Sequence, residues 1–90
     1  MVGLFATSLA GHDKNKVYII IREEDEYVYL VDGAIRKKEN PKCKKVKHIQ
    51  IIKNDVSDTG EKIKAGQNVN NEEIKRAIKI YIGRKTDVKS

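Results

Sequence analysis

The residues best equipped for chemistry in this chain are cations. Between Ala34 and Lys53 stand eight Lys/Arg (Arg36, Lys37, Lys38, Lys42, Lys44, Lys45, Lys47 and Lys53) against one acid, Glu39. That segment carries +7, more than the +6 of the whole chain, so the rest of the sequence nearly cancels. A block of like charge is either solvated surface or an interaction surface. The interaction it suits is contact with a polyanion, above all nucleic-acid phosphates. Lysines would serve there as point charges, and Arg36 offers a planar fork that matches a phosphate bidentately. Acids are just as localised: five stand between Glu23 and Asp32 with no base among them. They read as a solvated turn that repels a misplaced polyanion, not as an acid/base pair.

Other chemistries find less support. Cys43, His12 and His48 invite a zinc reading, but a closed structural site takes four ligands, and the chain has no Cys-x-x-Cys pair. The lysines around Cys43 would favour its thiolate, yet a reactive thiol is not a catalyst. We therefore expect no enzyme, no metal and no cofactor. A single cysteine excludes a disulfide within the chain and points to a reducing compartment, hence the cytoplasm. The unbroken apolar run from Val17 to Ile21 is far short of the roughly 18 residues that span a membrane. Val2 to Ala10 lacks a basic leader and is broken by Gly3, Thr7 and Ser8, so no secretion signal and no membrane partner are expected. Ninety residues, 39% hydrophobic and 36% charged, bound the chain to one domain with a modest core and too little length to enclose a large hydrophobic pocket.

The elements that must position these cations are legible in outline. Val2 to Ser8 alternates loosely and ends at Ala10-Gly11. Lys16 to Glu23 is a β-branched run that suits a strand covered on both faces. Glu24-Asp25 turns the chain into a second run, Glu26 to Asp32, to make a hairpin. Asp32-Gly33 predicts a two-residue type I′ turn, with positive φ at both positions, leading to a short fourth strand over Ile35 to Lys38. Asn40-Pro41 ends that strand. Lys47 to Lys53 alternates around Ile49 and Ile51 and predicts a fifth. Five short strands with tight turns suggest a small antiparallel barrel. Tyr18, Tyr27 and Tyr29 could stack on unpaired bases, but alternation on a hairpin favours cross-strand packing; Phe5 is expected in the core.

Beyond the strands the pattern turns helical. Asp58 is expected to cap a short helix, with Glu61 in capping-box spacing and Gly66 as its stop. Asn70 caps a second, with Glu73 at the third position and Val69 and Ile74 as a hydrophobic staple. Ile74, Ala77, Ile78, Tyr81 and Ile82 then share one face, Lys75, Arg76 and Lys79 the other, and Gly83 is the expected terminator. Thr86 to Ser90 is expected to fray.

The stretch from Gly3 to Lys16 and the strand after it carry a further signal. Strand, Ala10-Gly11-His12-Asp13-Lys14-Asn15-Lys16, strand resembles the KOW motif, an RNA-binding strand–loop–strand unit of several ribosomal proteins and NusG-type elongation factors. With Gly3, Ser8-Leu9-Ala10-Gly11-His12-Asp13-Lys14, Val31-Asp32-Gly33, Pro41-Lys42 and Lys47-His48-Ile49-Gln50, the first half resembles the fourteen-e family of large-subunit ribosomal proteins, in particular its small bacterial relatives. Where that motif usually has Gly this chain has Asn15, the non-glycine residue that best tolerates left-handed geometry. His12 stands where Arg is common, which weakens a phosphate contact near neutral pH.

The resemblance implies a mainly β fold: an SH3-like small antiparallel β-barrel over residues 1–53, then a linker and short C-terminal helices over 54–90. It implies a non-enzymatic, ribosome-associated RNA-binding protein that contacts structured ribosomal RNA and is monomeric off the ribosome. The residues expected at the RNA are His12, Lys14, Asn15, Lys16, Arg36, Lys37, Lys38, Lys42, Lys44, Lys45 and Lys47. The alternative is a protein-interaction module of the translation or transcription machinery on the same barrel.

Overall fold

The β-branched runs form five strands: β1 (Phe5–Ser8), β2 (Val17–Glu24), β3 (Tyr27–Val31), β4 (Lys42–Lys45) and β5 (Ile49–Ile52). Two helices follow, α1 (Asp58–Lys64) and α2 (Asn71–Asp87). The computed structural model describes residues 1–9, 11–12 and 14–87, with side chains through residue 84. All strand pairs are antiparallel, in the order β4-β3-β2-β1-β5.

Period-two alternation sends the β2 residues to two different cores. On one face Phe5, Ile19 and Val31 pack against Val69, Ile74, Ala77, Ile78 and Tyr81. The Phe5 and Tyr81 rings stack there at 4.6 Å, which ties β1 to α2. Such a pair adds about 0.5–1.5 kcal/mol beyond the area it buries. On the other face Ala6, Tyr18, Ile20, Val28, Leu30 and Ile49 bury one another, with Val46 and Ile51 packed at the margin. A flat sheet could not dry that face, so the sheet curls. A bulge in β2 between Ile20 and Arg22 adds bend and twist where it is needed. Lys44 Nζ also donates to Ser8 Oγ at 2.6 Å. Their strands, β4 and β1, are three positions apart, about 14 Å in a flat sheet. Among the described residues β4 and β5 are not paired with each other, so the curled sheet stays open.

Two expectations fail between β3 and β4. The strand expected over Ile35 to Lys38 does not form, and Asp32-Gly33 is not a type I′ turn, because Gly33 has positive φ (79°) and Asp32 does not. The Asp32 carboxylate outcompetes ladder pairing: its Oδ1 accepts from the amides of Ala34 at 2.9 Å and Arg36 at 2.8 Å. The amides of Asp32 and Gly33 in turn donate to the Arg36 carbonyl. A Cβ at Gly33 would collide with the Asn71 carbonyl oxygen, so this turn is seated directly on the first turn of α2. The fourth strand is instead Lys42–Lys45, and a single 3-10 turn, Val46–His48, delays the fifth strand to Ile49.

The helices follow their sequence signals with four corrections. Ser57, not Asp58, caps α1, its Oγ accepting from the Gly60 amide at 2.9 Å. Gly60 is tolerated inside α1 because its backbone meets that of Gly3, where a Cβ on either residue would clash. Gly66 stops α1 as expected, its amide and that of Gln67 closing back on Ile63 and Lys62. Asn70 caps α2 through Oδ1 and the Glu73 amide at 2.8 Å. Gly83 does not end that helix, which continues to Asp87; Arg84, one residue on, is anchored to Asp55 at 2.7 Å. The segment expected to fray therefore begins inside α2, and residues 88–90 lie outside the described residues. Ile82 is 46% exposed and is not part of the core face.

Candidate nucleic-acid interface

Register decides which cations meet. Thr7 pairs with Val17, Ser8 with Ile49, Ile19 with Val31, and Leu30 with Lys42. The end of β1, the starts of β2, β4 and β5, and the end of β3 therefore lie at one end of the sheet. The connections 9–16 and 32–41 gather there, and with them His12, Lys14, Asn15, Lys16, Arg36, Lys37, Lys38 and Lys42. The turn 46–48 instead crosses from one end to the other: the Val46 amide donates to the Glu26 carbonyl at 2.8 Å, the His48 carbonyl accepts from Leu9, and Lys47 lies between. The hairpin tip with Glu24, Asp25 and Glu26 lies at the opposite end. The sheet is thus basic at one end and acidic at the other, a polarity the linear charge blocks foreshadow.

The loop between β1 and β2 is held by backbone bonds at its base. The Asn15 amide donates to the Ser8 carbonyl at 2.8 Å, and the Ser8 amide donates to the Lys16 carbonyl at 3.3 Å. The Leu9 amide donates to the His48 carbonyl at 3.0 Å, which sets the 3-10 turn beside the loop. Asn15 takes φ 69°, the left-handed geometry expected where the motif has Gly. With the base fixed, His12, Lys14 and Asn15 are exposed, as is Lys47 on the neighbouring turn. Ala10 and Asp13 lie outside the described residues.

Several expected contacts are engaged by the fold itself. Lys16 Nζ lies 2.7 Å from Oδ2 of the buried Asp32 and 5.4 Å from the Tyr18 ring centroid. Burial by itself would raise the Asp32 pKa. The bond from Lys16 and the amides of Ala34 and Arg36 outweigh it, so the carboxyl stays below its ordinary value. Lys38 Nζ donates to the Val69 carbonyl at 2.7 Å and to Asn68 Oδ1 at 3.0 Å, and its amide donates to Asn71 Oδ1. Lys45 is carried away to the acidic end, 3.8 Å from Glu26 and near the Tyr27 ring. Lys44 reaches Ser8 on the concave face, and Lys42 is half-buried on the same side. Among the described residues, the cations left facing solvent at the basic end are Lys14 and Lys37, with a half-buried Arg36; Lys47 is exposed on the turn that crosses between the ends.

The tyrosines divide. Tyr18 is core, whereas Tyr29 lies under the Arg22 guanidinium at 4.1 Å and donates to Glu24, so its exposed neighbourhood is already stacked. Sequence reasoning missed the anchors: Asp32, Asn68, Asn71 and Ser8. Asp followed by Gly is the one signal available, since an Asp side chain readily bonds backbone amides two residues on. No family model matches the chain, and no curated protein matches it. No helix among the described residues is long and apolar enough to cross a membrane.

Proposed function

We propose that the chain is a non-enzymatic RNA-binding protein of KOW type, similar to the fourteen-e ribosomal family, acting in the cytoplasm on structured ribosomal RNA. The observation that carries this reading is the loop 9–16. It is pinned at its base, turned by a left-handed Asn15, and set at the same sheet end as the 32–41 connection, where Lys14 and Lys37 both face solvent. The curled sheet, its two-sided burial and its strand order suit an SH3-like barrel. Rigid strands holding short cationic loops place charge on phosphates without reading bases, so recognition is led by backbone and shape. The acidic hairpin at the far end disfavours the opposite docking orientation.

Filter binding to large-subunit ribosomal RNA across a salt series tests the reading. Phosphate-led binding predicts that log K falls linearly with log salt, by about one unit of slope for each neutralised phosphate. Affinity that ignores salt, or that is no tighter than for an unstructured polyanion, would overturn it.

A further inference from the structure

The helix-side face of the sheet is only partly covered. Along α2, Ile74, Ala77, Ile78 and Tyr81 turn inward, but Lys75, Ile78, Lys79 and Ile82 form a second stripe at i, i+3, i+4 and i+7. That stripe is one wall of an open groove whose floor is Thr7, Val17, Gln50 and Ile52. Ala34 and Ile35 close the far side, held by the Asp32 turn. Ile35 is 78% exposed and Ile82 46%, so apolar surface is displayed on both walls. The groove has a volume of ≈ 1130 Å³. That is above the roughly 300–1,000 Å³ of small-molecule sites.

Its chemistry favours one kind of occupant. The apolar lining is mainly aliphatic, and its one ring, Tyr81, is already stacked on Phe5, so it offers no free platform to a nucleobase. The rim is cationic. Among the described residues Lys75 and Lys79 form no ion pair, and the one acid lining the groove, Asp32, is answered by Lys16. A helix laid beside α2 and over the strands would bury the floor at ordinary packing distances. We propose that this groove receives an acidic amphipathic helix of a protein partner, its aliphatic face against Val17, Ile52 and Ile78 and its carboxylates at Lys75 and Lys79. The groove borders the RNA loop, with Asn15 and Lys16 on its rim, but the helix is placed on neither Lys14 nor Lys37, so the two readings can fail separately.

The test is a titration of the full, isotope-labelled chain, followed through its backbone amide resonances. The probe is a synthetic helix of about fourteen residues with Leu at i, i+3, i+4 and i+7 and Glu on its other positions. A twin with the same leucines and Lys for Glu is the comparison. The acidic helix is expected to give saturable shifts centred on Val17, Ile35, Ile52, Ile78 and Ile82, with the twin at least about tenfold weaker. Ile82→Glu, at an exposed position where the fold tolerates it, is expected to weaken the acidic helix at least about tenfold and to leave RNA binding unchanged. Equal response to both helices, no saturable shift, or shifts elsewhere would overturn the proposal. So would a single-stranded RNA oligonucleotide shifting these same residues, or the shifts arising on raising the protein concentration alone, which would make the occupant a second copy.

Discussion

Lys16 Nζ lies 2.7 Å from Asp32 Oδ2, a carboxylate 7% exposed that also holds the amides of Ala34 and Arg36. One bond thus ties the start of β2 to the end of β3 and fixes the turn that rests on α2. A lysine in a basic neighbourhood is here committed to the fold.

Asp32→Asn is expected to cost about 2 kcal/mol at neutral pH, since it removes the charge that Lys16 and two amides are aimed at. The folded Asp32 pKa is depressed, so as pH falls the unfolded chain takes up the proton first. The stabilisation is therefore complete above the ordinary carboxylate value of about 3.9 and is lost as pH drops through the lower folded value. Urea unfolding of both proteins at pH 7 and again at a pH below the ordinary carboxylate value should show the gap between them narrowing in acid. A gap of constant size would mean that Asp32 acts through shape and not charge.

Asn15 sits at φ 69° with its amide bonded to Ser8. Asn15→Gly should preserve the fold, and Asn15→Val should destabilise it by about 1 kcal/mol or more, because a β-branched residue resists left-handed geometry. Thermal melts of the two variants decide it: equal midpoints would show that the loop carries no such constraint.

Ile74 is fully buried between α2 and the sheet. Ile74→Ala should cost about 2–5 kcal/mol. A chain ending at Asn54 should lose cooperative unfolding, because Phe5, Ile19 and Val31 would be left bare on the helix side. Retention of the full-length melting temperature would make the helices an appendage instead.

How far the sequence reached depends on where each signal resides. Val17 to Ile21 announced a strand covered on both faces because its apolar run is continuous, and Asn70 announced a helix because its cap, its Glu73 and its Val69–Ile74 staple are local. The strand Lys42–Lys45 was hidden, since three lysines in four residues carry no apolar pattern. An edge strand needs none, and lysines there discourage pairing with another chain. Ile35 to Lys38 read as a strand because side-chain capture of backbone amides by Asp32 leaves no mark on hydropathy. In the candidate interface, counting charge marks the block that holds Lys37, but strand register, not charge, brings Lys37 to the same end as Lys14, and which lysines remain outward was not legible. Lys38 and Lys16 find partners 30 or more and 16 residues away, on elements that only the folded chain brings near.

The central claim is that RNA affinity belongs to the basic end of the sheet and not to net charge spread over the surface. The most direct measurement compares two double variants of equal charge change, Lys14→Glu with Lys37→Glu and Lys53→Glu with Lys64→Glu, in filter binding to large-subunit ribosomal RNA at several salt concentrations. The first pair is predicted to lower affinity at least about tenfold and to reduce the salt slope by about two, one for each lost phosphate contact. The second pair, exposed at the far end where Ile52 pairs with Phe5 and Lys64 meets Gly3, is predicted to change affinity less than about threefold. Equal losses from the two pairs would contradict the account, because a localised site cannot be indifferent to which end of the molecule loses its charge.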